Sequence, residues 1–479
     1  MSSRKVLAML RAFESRNITF QAEDGSWPIV WEQARGMYVR DAEGRRYLDL
    51  TAAFGVAAAG HAHRAVVRAG RAQMGRLLHA MGDVHPHARK AELVRALSAI
   101  TFERWQRGTA PSPAGPGSKQ NRWRAAPLTG KSILCNSGFE AVEAALKTAL
   151  LATGKPGVIA FERAYHGLGY GALNTTHRSH FRSPFLRQLR QFATFVPFPA
   201  APARAAGTQS APSAEPAAPS VACAASCKEI ERLLRRGTCG AILVEPIQVR
   251  GGINVPVPGF LADLRRLCDR FGALLILDEI YTGFGRTGRW FACEHDAVVP
   301  DLICLGKALT GGFPLSACVG RAEVMDRAWP PSTGEAIHTS TFLGHPVGCA
   351  MALAHIEEIR RSRLVENSAR RGRFLLARLA DLAAEVCSAA PGMRLDVRGL
   401  GLVAGLEFRL ADGKPATQMV LECITRMLHR GFLLLPEGEA SNVIAFTPPL
   451  IVTERQLEGA LAALAEVIPS AYRQLSGPG

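Results

Sequence analysis

An aspartate and a lysine, each following a short apolar run, are the residues of this 479-residue chain best placed to do chemistry. The run 274–277 leads into Asp278-Glu279, and the run 302–304 leads into Leu305-Gly306-Lys307, beside Gly311-Gly312. A carboxylate at the end of a buried strand needs a cationic or hydrogen-bonding partner. A lysine in a tight, partly apolar pocket holds its proton less firmly and can join a carbonyl as a Schiff base. Taken singly, Asp278 also reads as a strand-end cap and Lys307 as a surface residue. Upstream, Asn136-Ser137-Gly138-Phe139-Glu140 joins an apolar run to a helical stretch, where a hydroxyl and free backbone N–H groups can cradle a phosphate. It matches neither a P-loop nor a G-x-G-x-x-G turn, so nucleotide binding is not favoured. Tyr165-His166-Gly167 follows the run 158–161 and offers an aromatic face.

A phosphate cradle, an aromatic face, a strand-end Asp and a strand-end Lys, in that order, together describe a pyridoxal 5′-phosphate site. At this point the chain resembles the class III aminotransferases, of the 4-aminobutyrate, ornithine and acetylornithine type, among the fold-type I pyridoxal phosphate enzymes. The resemblance rests on Ser137-Gly138-Phe139-Glu140-Ala141, Tyr165-His166-Gly167, Glu245-Pro246-Ile247-Gln248, the run from Leu277-Asp278 to Thr287-Gly288, Gly306-Lys307-Ala308-Leu309, Ser340-Thr341-Phe342 and Arg398-Gly399-Leu400-Gly401. It implies that Lys307 carries the cofactor and shuttles a proton, and that Asp278 pairs with the pyridine nitrogen. Ser137, Gly138 and Phe139 would hold the phosphate, Tyr165 and Ile280 would cover the two ring faces, and Glu245 would lie near the ring. Tyr281 would reach the phenolic oxygen, His166 would support the Tyr165 loop, and Thr341 would reach the neighbouring subunit's phosphate. A homodimer follows from that last role, and a tetramer stays open.

The elements that must position these residues alternate. Runs 132–135, 158–161, 241–244, 274–277 and 302–304 are short and apolar, with helical periodicity at 140–151 and 261–271. Fully apolar strands alternating with helices predict an α/β fold with a mostly parallel sheet covered on both faces, and ligands gather at the carboxyl ends of such strands. The family resemblance implies a seven-stranded sheet. Beyond it, one long helix is expected over 346–389, strands within 394–409 and 443–446, and helices over 416–430 and 454–472. These form a smaller α+β domain. The expected division is residues 1–60 packing with the small domain, 61–330 as the large cofactor-binding domain and 331–479 as the small domain. Ala-, Pro-, Ser- and Gly-rich stretches at 108–127 and 200–226 read as surface insertions.

Composition bounds the partners. With 48% hydrophobic and 20% charged residues the chain is core-forming rather than disordered. The net charge of +16 comes from scattered arginines, which reads as a solvated basic surface rather than a nucleic-acid interface. No apolar run approaches the length needed to span a bilayer, and the start lacks a signal-peptide pattern, so a cytoplasmic location is expected. The 11 cysteines show no C-x-x-C pair. His61-Ala62-His63 and His85-Pro86-His87 read as structural turns, so no metal is expected.

Departures from the family bear on substrate. Leu168 stands where relatives that use 2-oxoglutarate carry an Arg after the aromatic-x-Gly element, which removes a bidentate carboxylate clamp. Gln248-Val249-Arg250 puts a cation where many relatives carry a Glu. Arg398, helped by Arg250, is expected to bind the α- or distal carboxylate of the substrate, and Phe54 to line the pocket, although Arg250 also reads as a loop cation and Phe54 as core. The expected activity is transfer of an amino group from an amino acid or ω-amino acid to a 2-oxo acid by a ping-pong mechanism. The alternative is a racemase or epimerase of the same fold; a silent nucleic-acid-binding scaffold fits poorly with an intact Lys307 and Asp278.

Overall fold

The computed structural model describes residues 1–108, 128–202 and 221–476. Its centre is a seven-stranded sheet in the order Gly130–Cys135, Ser316–Arg321, Leu302–Leu305, Leu274–Asp278, Cys239–Val244, Gly157–Phe161, Ala193–Val196. Neighbours from Leu302–Leu305 to Ala193–Val196 are parallel, whereas Ser316–Arg321 runs antiparallel to both strands beside it. The three strands Cys239–Val244, Leu274–Asp278 and Leu302–Leu305 are buried along their whole length, as strands covered on both faces must be.

Side chains alternate across that sheet. Leu274, Ile276, Leu302 and Cys304 join one core cluster with Ala141, Val142, Ala145 and Ala149 of the helix Gly138–Thr153. Leu275, Leu277, Ile303 and Leu305 face the other side, in the cluster that holds Leu261 and Leu264 of Phe260–Phe271. The alternation puts Asp278 on the face of the helix Gly138–Thr153 and Glu279 on the opposite one. Glu279 accordingly accepts hydrogen bonds from Thr282 Oγ1 at 2.7 Å and from the N–H groups of Ala292 and Cys293 at 2.8 Å each. The adjacent acids therefore have separate roles, one structural and one free for chemistry.

Two four-stranded sheets complete the fold. Trp31–Arg35, Tyr38–Asp41 and Arg46–Asp49 form an antiparallel meander that Phe432–Leu433 joins in parallel, pairing with Leu48 and Asp49. Met393–Leu400, Val403–Leu410, Val443–Phe446 and Leu435–Glu437 form the other, entirely antiparallel. Helices Leu364–Ala389, Thr417–His429 and Glu454–Ser476 accompany it.

Several expectations need correction. The long helix over 346–389 is two helices, Pro346–Arg361 and Leu364–Ala389. The Ser362 N–H still bonds the Glu358 carbonyl at 2.9 Å, and the break comes at Arg363, which turns left-handed with φ 50°. Strands Ala193–Val196 and Ser316–Arg321 escaped the sequence reading, since a mixed edge strand and a run of small residues carry little hydrophobic pattern. The insertion expected at 200–226 is too long: residues 221–226 begin the helix Val221–Arg235. Residues 109–127 and 203–220 of the two insertions lie outside the described residues.

Candidate active site

The carboxyl ends of the parallel strands bring the expected residues together. Asp278, only 5% exposed, closes its strand with Oδ2 2.7 Å from His166 Nδ1, while Oδ1 accepts the Ile280 N–H at 3.1 Å. His166 is itself buried, and its Nε2 has no partner. This histidine was expected to support the Tyr165 loop; in the fold it orients the aspartate directly.

Lys307 opens the turn that follows Leu302–Leu305, its Nζ lying 4.5 Å above the centre of the Tyr281 ring. Burial pushes its ammonium below the ordinary lysine value; Asp278 and Glu245 pull the other way, and the Arg250 guanidinium reinforces the lowering. Glu245 is buried and accepts the Tyr165 N–H at 2.9 Å. Burial pushes its carboxyl up to about 7.

Ser137 precedes the helix Gly138–Thr153, whose first turn is anchored by Glu140 accepting the N–H groups of Asn136 and Ser137 at 2.6 and 3.0 Å. The Ser137 side-chain oxygen faces the Glu140 N–H in a capping box, and its buried hydroxyl proton has no acceptor among the described residues. Close packing carries this helix start to the lysine and the aspartate: a Cβ on Gly138 would meet Ile280 at 3.1 Å, and one on Gly306 would meet Ile280 at 3.2 Å. Phe139 packs under the loop after Tyr165, since a Cβ on Gly167 would lie 2.4 Å from the Phe139 Cβ. Tyr281 is buried, its hydroxyl 3.2 Å from Thr447 Oγ1, which donates to the Thr51 carbonyl at 3.0 Å. Burial pushes the Tyr281 phenol up to about 12. The segment after Thr51 lies against this ring, because a Cβ on Gly55 would come within 2.7 Å of it. Phe54 is exposed in that segment, held left-handed at φ 62°.

The remaining expectations fare differently. Thr341 is exposed, one residue beyond Ser340, whose hydroxyl lies 3.4 Å from Asn136 Nδ2. Arg398, expected to bind a substrate carboxylate, already has partners in the protein. Its Nε and Nη2 donate to the Gly252 carbonyl at 2.9 and 2.7 Å, and Nη1 pairs with Glu407, which uses three of its five N–H donors. Arg250 is different: its guanidinium lies 5.0 Å from the Tyr165 ring centre and 3.3 Å from a Glu437 carboxylate oxygen. Glu437 was missed in the sequence. It is buried at the end of Leu435–Glu437, and no local pattern ties it to residues so distant along the chain. Leu168, in place of the family's arginine, is exposed.

The histidine turns are structural contacts: His61 Nε2 lies 2.6 Å from Asp49, His63 pairs with Glu358, and His87 reaches the Gly344 carbonyl. Cys223, Cys227 and Asp263 bring three possible ligand atoms within 4.8 Å of one another. None of the 11 cysteines, all among the described residues, forms a disulfide.

The chain matches the family described as aminotransferase class-III over residues 19–468. It is 33% identical over 440 residues to an acetylornithine aminotransferase of Methanosarcina mazei, covering 92% of each chain. It is 35% identical over 445 residues to a 5-aminovalerate aminotransferase of Pseudomonas aeruginosa, covering 92% of this chain and 93% of that one. An amine transaminase from an uncultivated Pseudomonas species, solved in its pyridoxal-phosphate-bound form, superposes with a TM-score of 0.77 at 25% identity, covering 96% of this chain and 98% of that one. The lysine, the oriented aspartate and the helix start are thus set in a matching fold and sequence, and the chain belongs to the class III aminotransferases, with the fold-type I architecture and pyridoxal phosphate as cofactor.

Proposed function

We propose that Lys307, Asp278 and Ser137 carry the transamination at this site, with an amino acid or ω-amino acid as donor and a 2-oxo acid as acceptor. The observation behind this reading is a buried Ser137 hydroxyl whose proton has no acceptor among the described residues, at a helix start that Ile280 links to both strand-end residues. Such a set fits pyridoxal phosphate. A phosphate would accept from the Ser137 hydroxyl and from the N–H groups of Gly138 and Phe139 at this helix start, and Asp278, oriented by His166, would pair with the ring nitrogen. Ile280 and Tyr165 would cover the ring, with Tyr281 and Glu245 near it. When bound, the cofactor takes up the amino group and accepts the electrons released at the donor carbon.

The protein's own contribution is positioning and proton movement. Burial keeps Lys307 ready to lose its proton, so its amine would hold the cofactor and would move a proton at the donor carbon. The names of the relatives, acetylornithine and 5-aminovalerate aminotransferases, support a donor whose reacting amine is distal to its carboxylate. The family's activity favours transamination over the racemase alternative.

Thr341 reaches the phosphate of a second subunit in this reading, making a homodimer. Exposed Leu78, Met81, Val84, Ile337 and Phe342 support it: their two segments pack together, with Thr339 bonded to Asp83 and the His79 and Phe342 rings 5.4 Å apart. The same reading divides the chain at residues 1–60, 61–330 and 331–479, the pairing of Phe432–Leu433 with Arg46–Asp49 supporting attachment of the first segment to the last. Among the described residues no helix is long and apolar enough to cross a membrane. A cytoplasmic location is supported by cysteines that form no disulfide among the described residues.

The deciding experiment is an absorbance scan of the purified protein against single amino acids, with no oxo acid present. A shift of the cofactor band to that of its aminated form is expected and names the donor. Lys307→Ala should abolish the shift. A band that persists while the amino acid loses optical activity would instead make this a racemase.

A further inference from the structure

Among the described residues, one group of side chains outside the amino-transfer site brings metal-ligating atoms together. Cys223 and Cys227 lie one helical turn apart on Val221–Arg235, a spacing that puts both thiols on one face. The two helices pack there, since Ile230 and Leu234, further along that face, share a core cluster with Leu261 and Leu264 of Phe260–Phe271. Asp263, in the first turn of the second helix, meets the thiols: its Oδ2 lies 3.5 Å from Cys223 Sγ and 3.9 Å from Cys227 Sγ. The three atoms lie within 4.8 Å of one another. The other carboxylate oxygen, Oδ1, accepts from Arg266, which leaves Oδ2 to the thiols. Cys223 is buried, Cys227 is half-buried and the Asp263 side chain is 22% exposed, so an ion can reach the group from solvent.

We infer that Cys223, Cys227 and Asp263 form a binding site for a thiophilic divalent cation, zinc above all, leaving a fourth position for water. The distances are those that a tetrahedral ion requires. Metal–sulfur bonds of about 2.3 Å and metal–oxygen bonds of about 2.0–2.2 Å give sulfur–oxygen edges of about 3.5–3.7 Å. The observed 3.5 and 3.9 Å agree with those edges to within about 0.2 Å. Charge agrees as well. Two thiolates, one carboxylate, a divalent ion and the Arg266 guanidinium sum to zero, and Arg266 braces the ligating carboxylate from behind. Binding forms two metal–sulfur bonds and one metal–oxygen bond and releases the two thiol protons to solvent. Burial, with Cys223 and Asp263 alongside, pushes the Cys227 thiol up to about 12, so the protons stay until an ion displaces them. Calcium and magnesium take oxygen ligands and do not suit this set. No C-x-x-C pattern marks the site, because C-x-x-x-C aligns two thiols only on a helix and the third ligand comes from another element. A bound ion ties the two helices together beside the Arg270–Glu231 pair, at 3.0 Å.

The test uses the full-length holoenzyme, reduced and freed of adventitious metal with a chelator. Calorimetry with zinc chloride should show one ion per chain at micromolar affinity or tighter, and cadmium, as an optical probe, should add a thiolate-to-metal absorbance band. Loss of an outer partner costs a metal site about 10- to 100-fold, so Cys223→Ala and Cys227→Ala should each weaken zinc by at least about 100-fold and Asp263→Ala by at least about tenfold. Cys387→Ser, at the other half-buried thiol, should change nothing. No binding by the wild type, full-strength binding in the cysteine variants, or a cadmium complex without the thiolate band would each overturn the assignment. A cofactor band that moves with zinc would place the ion at Lys307 and overturn it too. Two thiols missing before reduction, with no zinc bound after it, would make the pair a disulfide instead. Cys227→Ser, isosteric and half-buried, keeps the assignment open to refutation where an alanine variant fails to fold.

Discussion

Asp278 works through its neighbours as much as through its charge. His166 and the Ile280 N–H hold both carboxylate oxygens, which in the proposed reading would keep the carboxylate aimed at the cofactor's ring nitrogen. Asp278→Asn keeps the shape and loses the charge. Single-turnover kinetics with a reactive amino acid should show the amine-to-cofactor step slowed on the order of 100-fold, the scale seen when one electrostatic stabiliser is removed; an unchanged rate would remove the aspartate from the chemistry. Glu245 permits a prediction about stability. Its carboxyl is raised from 4.5 to about 7 by burial, so below pH 4.5 it is protonated in both folded and unfolded chains and costs nothing. As pH rises, the unfolded chain ionises first, and the cost grows until it levels above pH 7, at about 3 kcal/mol. Glu245→Gln should therefore raise the melting temperature relative to wild type at pH 8 and have little effect at pH 5. A difference independent of pH would show that the carboxyl is not raised.

At the scale of elements, the site depends on how closely backbone can approach. The helix Gly138–Thr153 reaches Lys307 and Asp278 because Gly138 and Gly306 leave room for Ile280 between them. Away from the chemistry, the tight turn between Met393–Leu400 and Val403–Leu410 presses on the loop after Asp278. Gly401 has φ +59°, and a Cβ there would lie 2.3 Å from the Thr287 carbonyl carbon. Gly401→Ala combines a left-handed backbone penalty with overpacking, and should cost about 3 kcal/mol in denaturant unfolding. A wild-type midpoint would show that the two elements separate freely. The long expected helix over 346–389 shows the opposite limit, since the hydrophobic period runs on through a position where one left-handed residue, Arg363, interrupts it.

For the whole molecule, the dimer reading is open to direct measurement. Light scattering should give twice the 51.5 kDa chain, and Thr341→Ala should weaken pyridoxal phosphate binding by about tenfold, the worth of one hydrogen bond to a charged group. A monomer of full activity would remove Thr341 from the site. The parallel sheet, Lys307, Asp278 and the helix start after Ser137 were legible in the sequence. Each follows from a local pattern: a fully apolar run, the polar residue that ends it, a small residue where a helix begins. Strand alternation even separates Asp278 from Glu279 once the strand is placed. The ion pairs were not legible. Arg250 and Arg398 look alike as sequence, each a cation beside glycine, and what distinguishes them is which acid the fold delivers to each. Glu407 reaches Arg398 across a hairpin, and Glu437 reaches Arg250 from another sheet altogether. Charge compensation acts through space, so the sequence alone specified the apolar strands and the polar residues that end them, while only the folded chain decided which acid each arginine meets.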